Sequence, residues 1–229
     1  MFERTRKIWL RRAQQRLFDF ARIQHLLDEK EQNALEDHMG FRGQLLEHRR
    51  FQITELKKLG LSPTSSVLEI GCGPLTAGLP VIQYLDAGGY VGVDVRPSVL
   101  DLAWQQVGKH QLSAKNPQLI CSAEFADREL GSRRFDFIWT FSVLYHLSDE
   151  ILDRYFATVA KRIGGVALAN VQTYMEDSTW LQFPFLKRSI ETYEAAAARH
   201  GLKTRSLGTL AERGFQTSGE EKMNILLEF

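Results

Sequence analysis

Val67-Leu68-Glu69-Ile70-Gly71-Cys72-Gly73-Pro74 is the stretch on which the reading of this chain turns. A short apolar run of strand type leads straight into a turn that carries two glycines one position apart. Glycine belongs where the backbone adopts dihedrals that side chains resist and lies flush against a bound ligand. By itself Gly-x-Gly is equally a plain tight turn. The next run of the same texture, Tyr90-Val91-Gly92-Val93-Asp94, shifts the weight, because Asp94 falls 21 residues after Gly73. An acid about 20 residues beyond such a turn sits at the tip of the neighbouring strand, where it can accept both ribose hydroxyls of a nucleoside. A pyrophosphate cradle does not fit. Leu75 and Thr76 stand where a third glycine would open the helix, and no Lys-Ser/Thr pair of the phosphate-loop type follows. Glu69 would repel a diphosphate and suits a ligand with a cationic tail.

Around this centre the chain alternates. Apolar or β-branched runs recur at 67–70, 90–93, 118–121, 135–140, 165–171 and 225–229. Segments of helical spacing, such as 97–107, 149–162 and 189–200, separate most of them, which is the pattern of βαβ units and a mainly parallel sheet. The last stretch breaks that rhythm: 202–210 and 224–229 both read as strands with only a polar connection between them, hence an antiparallel hairpin. Before Gly60 the texture is helical and free of proline, with an apolar stripe through Leu45, Leu46, Ile53, Leu56 and Leu59. The expected architecture is α/β and Rossmann-like: a mainly parallel seven-stranded sheet with an antiparallel terminal hairpin, flanked by helices. An N-terminal helical arm, residues 1–60, precedes a ligand-binding domain, residues 61–229.

Composition narrows the function classes. The chain has 229 residues, room for one compact unit plus an appendage. Lys plus Arg is 29 against 28 Asp plus Glu, so no global field draws it to nucleic acid. The two cysteines, Cys72 and Cys121, form neither a metal nor a disulfide framework, and no metal site is expected. No run approaches the roughly 20 apolar residues of a membrane span, and the first residues lack the order of a secretory signal, which predicts a cytoplasmic chain. Residues 1–16 are nonetheless basic, with Phe2, Ile8, Trp9 and Leu10 interleaved. They read either as a solvated helix face or as an amphipathic helix touching a membrane surface.

With the glycine turn and Asp94 in place, the sequence resembles the class I S-adenosylmethionine-dependent methyltransferases. Phe135-Asp136 opening a strand and Ser142-Val143-Leu144-Tyr145-His146-Leu147 after it carry the likeness further, over roughly residues 40–229. The variant Gly-Cys-Gly-Pro-Leu-Thr is similar to a bacterial subgroup linked to sugar or small-metabolite modification. The resemblance implies S-adenosyl-L-methionine as cofactor and a role for each matching position. Gly71, Cys72, Gly73 and Pro74 would form the loop the cofactor lies on, and Glu69 would anchor that loop and face the cofactor's amino end. Asp94 would bind the ribose hydroxyls and Val95 would lie against the adenine. After the third strand, Ser122 and Ala123 occupy the place where the family has an acid for the adenine amino group, so Ser122 or Glu124 supplies that contact. Thr140, Phe141 and Ser142 would flank the sulfonium and its methyl group. Arg42 or Arg49 would pair with the cofactor's carboxylate.

The acceptor side is less defined. Methyl transfer is an in-line displacement in which the protein mainly aligns the two partners and excludes water. A base is required only when the nucleophile must lose a proton. Tyr145 and His146 are the catalytic candidates, because they follow the fourth strand at the edge where ligands bind in such sheets. The aromatic stretch 170–185 is either a lid over the acceptor or a cover for the sheet edge. The expected function is methyl transfer to a small-molecule or sugar-containing acceptor, the alternative being a cofactor-binding module that acts through a protein partner. A short-chain dehydrogenase is excluded, since no tyrosine has lysine four positions later. Base methylation of nucleic acid is disfavoured too, because Thr140-Phe141-Ser142-Val143 replaces the Asn/Asp-Pro-Pro-aromatic signature.

Overall fold

The computed structural model describes residues 35–36, 43–174, 178–180, 183–217 and 219–229. The chain divides into two compact units, residues 1–46 and 47–229. In the first, the Glu36 carboxylate accepts the amides of Gly43, Gln44 and Leu45 at 2.6–2.9 Å, satisfying N–H groups that would otherwise be orphaned where a helix begins. That helix is α1, Leu45–Lys58.

The second unit alternates as the periodicity predicts: β1 Val67–Ile70, α2 Gly78–Tyr84, β2 Tyr90–Asp94, α3 Pro97–Lys109, β3 Gln118–Cys121, β4 Phe135–Thr140, α4 Asp149–Arg162 and β5 Ile163–Val171. A two-stranded ribbon follows, β6 Ser178–Trp180 and β7 Phe183–Phe185, then α5 Ile190–Ala198, β8 Arg205–Thr209 and β9 Ile225–Glu228. The main sheet has seven strands in the order β3-β2-β1-β4-β5-β9-β8. The first five pair in parallel, and β9 pairs antiparallel with both β5 and β8. The terminal hairpin is therefore present, with its second strand slotted inside the sheet and β8 left at the edge.

Strand parity sorts the core into two layers, since successive side chains point to opposite faces. Leu68, Ile70, Val91, Val93 and Ile138 face α4 and α5, where they meet Tyr155, Phe156, Val159 and Tyr193. Val67, Tyr90, Phe137, Trp139 and Leu168 face the other way, onto Phe51 and Leu56 of α1, Ile82 of α2 and Ala103 of α3. Local chemistry sets the helix ends. Ser148 caps α4 by accepting the Ile151 amide, Asp149 and Glu150 open the helix and Lys161 and Arg162 close it, each sign matched to the helix dipole. Between α1 and the sheet, the Trp139 Nε1–H donates to Gln52 Oε1 at 2.8 Å, which fixes the helix at the level of β4. Among the described residues no helix is long and apolar enough to cross a membrane.

Candidate functional site

Five parallel strands bring their carboxyl ends to one edge, so Gly71, Asp94, Ser122 and Phe141 stand in a row there. The strand order reverses between β1 and β4, and the crevice at such a switch point is where open α/β sheets bind ligands. The loop after β1 is held tightly. Gly71 N–H and Cys72 N–H both donate to Val93 O, at 2.8 and 3.0 Å, and Gly73 N–H donates to Asp94 Oδ2 at 3.0 Å. Gly71 has φ +77°, and a Cβ placed there would meet Val143 Cγ2 at 2.3 Å, so this glycine lets the turns after β1 and β4 close on each other. Gly73, at φ +51°, faces open space instead. The side chains of Cys72 and Pro74 are buried, and burial holds the Cys72 thiol well above its usual range.

Asp94 is the hub. Besides Gly73 it holds Arg96, whose amide donates to Oδ1 at 3.0 Å and whose Nε donates to the same oxygen at a longer 3.3 Å. Val95, next along, is 46% exposed. Ser122 donates its amide to Asp94 O at 3.1 Å, while its hydroxyl oxygen accepts the amides of Glu124 and Ala126. Ala123 beside it is exposed. Of the two residues considered for the adenine contact, Glu124 is engaged by Arg154 at 2.8 and 3.0 Å.

Glu69 lies elsewhere than its position before the glycines suggests. Strand parity turns it inward, where the Tyr90 hydroxyl donates to its Oε2 at 2.5 Å. Burial pushes its carboxyl up to about 8, against the opposing Tyr90 bond and with Asp94 adding in the same direction. A carboxyl raised this far favours its protonated form at neutral pH. A group held above its unfolded value of 4.5 stabilises the fold at low pH, and that contribution is lost as pH rises towards about 8. Glu69→Gln should therefore flatten this part of the stability–pH curve and gain on the wild type above neutrality. Thermal melts across that range check it, and parallel curves would exclude a raised Glu69.

At the end of β4, the Thr140 hydroxyl accepts from Tyr155 inside the core, and Phe141 stacks on Trp139 with centroids 5.8 Å apart. Ser142, at φ +58°, donates its amide to Asn170 Oδ1. Tyr145 is buried, and burial raises its phenol beyond the ordinary range even though a bond with the Ser142 side chain opposes the shift. His146 Nδ1 contacts Pro184 O at 2.7 Å, while Phe185 stacks on Tyr145 at 5.5 Å. The stretch after β5 is thus a ribbon packed on the turn Leu144–His146. Sequence reasoning missed Arg96, Val143 and a cluster in which His48 lies 4.9 Å from the Phe215 ring and 3.4 Å from Glu221. Among the described residues the guanidinium nitrogens of buried Arg49 have no hydrogen-bond partner, and its charge adds to burial in lowering His110. Arg42 and residues 1–16 lie outside the described residues. Among the described residues no group of three or more His, Cys, Asp or Glu is arranged for a metal.

Residues 68–165 match the methyltransferase-domain family Methyltransf_12. An uncharacterized methyltransferase of Schizosaccharomyces pombe is 30% identical over 93 residues, which cover 38% of this chain and 33% of that protein. The chain thus matches about a third of its curated relative's length. Among solved structures, an S-adenosylmethionine-dependent methyltransferase of Clostridium acetobutylicum superimposes with a TM-score of 0.60 at 15% identity, over 80% of this chain and 89% of the other. The magnesium protoporphyrin IX methyltransferase of Synechocystis, with bound S-adenosylmethionine, gives 0.58 at 15% identity over 80% and 79%. The glycopeptide N-methyltransferase MtfA, complexed with S-adenosylhomocysteine, gives 0.60 at 14% identity over 78% and 87%. The chain therefore shares the Rossmann-like fold of these solved structures.

Proposed function

We propose that the chain transfers a methyl group from S-adenosyl-L-methionine to a small-molecule or sugar-containing acceptor. The observation that carries this reading is the bond from the Gly73 amide to Asp94 Oδ2, which fastens the glycine loop and the strand-tip acid into one grip. A carboxylate offers about four acceptor positions, and three are in use. The long contact from Arg96 Nε is the one that a ribose hydroxyl can replace. Val95 would offer its exposed side chain to the adenine, and Ser122 would meet the adenine's rim. Gly73 leaves open space where the loop would face the methionine portion.

When bound, the cofactor supplies an activated methyl group on sulfur. The residues of the chain do the rest. Asp94 and the loop orient the nucleoside, and the crevice between β1 and β4 directs its sulfur end toward Phe141 and Ser142. The β6–β7 ribbon covers the acceptor side and excludes water. Titration calorimetry with S-adenosylmethionine, followed by a labelled-methyl assay on small hydroxylated compounds and sugars, tests the reading. Micromolar binding with product is expected. Absence of binding would sink it, and binding without product would favour a cofactor-binding module that works through a partner.

A further inference from the structure

We propose that the chain carries a binding site for a small planar aromatic carboxylate, in a cavity at the amino ends of β2 and β3. This goes beyond the methyl-transfer reading and does not depend on it. The cavity holds about 300 Å³, the lower end of the roughly 300–1,000 Å³ that ligand pockets span, so its occupant has one or two rings. Tyr90 opens β2 and Gln118 opens β3, and both line it, together with Leu119, Trp104 of α3 and Arg133 from the turn before β4. Asp94 closes β2 four positions after Tyr90, about 13 Å away along the strand. The cavity therefore belongs to the edge of the sheet opposite the glycine turn.

Two of its walls are informative together. Trp104 sits beside the buried stripe of α3, which runs through Leu100, Ala103 and Val107, and it is 47% exposed. A single exposed apolar side chain is ordinary on a protein surface. This one borders a cavity that also holds a cation. Arg133 Nη2 donates to the Gly88 carbonyl at 2.9 Å, and its guanidinium carbon stands 4.8 Å from the centre of the Phe135 ring. Among the described residues its partners are that carbonyl and that ring, with no carboxylate beside them. A guanidinium has five N–H donors, and the carbonyl occupies one. The remaining polar walls include the exposed carboxamides of Asn116 and Gln118, and no lining residue is acidic. The Tyr90 hydroxyl is engaged with Glu69 in the core.

These groups define the ligand's chemistry. A cationic ligand would meet the Arg133 charge with no acid in the lining to offset it. A carboxylate meets the guanidinium fork with charge-assisted bonds, while its ring lies on the exposed face of Trp104. Asn116 and Gln118 can donate to or accept from polar substituents on that ring. Gly88 and Phe135 already hold the guanidinium in place, so binding costs little side-chain freedom.

2-Naphthoate is the probe, and 2-naphthamide and cyclohexanecarboxylate remove its charge and its flat ring in turn. Calorimetry on the full chain should give a dissociation constant of about 0.1–1 mM for 2-naphthoate, and each analogue should bind about tenfold more weakly. Trp104→Ala, a surface change, should weaken 2-naphthoate about tenfold as well. Arg133→Gln keeps a donor for the Gly88 carbonyl while removing the charge, and it should do the same; if that variant fails to fold, Trp104→Ala decides alone. Saturating S-adenosylhomocysteine should leave the affinity for 2-naphthoate unchanged. No binding up to about 10 mM, or equal affinity for all three compounds, overturns the proposal. Undiminished binding by Trp104→Ala also overturns it, as does displacement by S-adenosylhomocysteine, which would place the probe at the glycine turn. So does a dimer in sedimentation that Trp104→Ala dissolves, because a second copy would then be what covers this face.

Discussion

Asp94→Ala is expected to weaken S-adenosylmethionine binding by about a hundredfold, close to 3 kcal/mol by affinity arithmetic. Two losses add up to that figure. The ribose hydroxyls lose a shared charged acceptor, and hydrogen bonds to charged groups are worth roughly 1.5–3 kcal/mol each. The Gly73 amide also loses its partner, so the loop is no longer tied to the tip of β2. The folded protein should persist, because Asp94 packs at the strand end and not within either core layer. Calorimetry with a circular-dichroism control separates the cases: a folded variant of unchanged dissociation constant would remove Asp94 from the ribose. Asp94→Asn should fall between the two, since its amide oxygen still accepts one bond but cannot accept two charge-assisted ones.

Gly71→Val should abolish measurable binding. The φ of +77° already disfavours any side chain, and a β-branched one most of all. The new Cβ would also sit 2.3 Å from Val143 Cγ2, so the turns after β1 and β4 must part. Those two turns form the walls of the crevice at the switch point, and forcing them apart removes the geometry Asp94 needs. A cost of about 2–3 kcal/mol would lower the melting temperature by roughly 5–10 °C for a domain of this size. Helical circular dichroism should survive at room temperature. A combined Gly71→Ala, Val143→Ala variant relieves the collision while keeping the dihedral strain, and it should bind better than Gly71→Ala alone. If it does not, Val143 is not what Gly71 makes room for.

The parts of the site that were legible in the sequence are those written locally. A strand, a glycine turn and an acid one βα unit later are consecutive in the chain, so their spacing alone places them on adjacent strand tips. The parallel order of β1 to β5 follows from the alternation of buried runs and amphipathic helices. Glu69 was read as facing the ligand, yet strand parity puts it with Val67 on the face that looks at α1 and α2, and burial beside Tyr90 settles its protonation. Ser122 held the position of an acid, but its side chain caps the following turn. Phe215 and Glu221 had no local mark, because they reach His48 only when the connection before β9 folds back over α1. The ribbon was hidden for another reason. Its strands are three residues long and one contains proline, which period-two patterning does not register.

Among the described residues that ribbon shares no backbone ladder with the seven-stranded sheet. Its residues can be exchanged without disturbing strand register, and the proposed grip on the nucleoside is built from different segments altogether. Randomising positions 183 and 185 while leaving the turn after β1 intact is thus a direct route to altered acceptor range. By the same logic, natural divergence in what such a chain modifies would accumulate in this ribbon first and reach the sheet last.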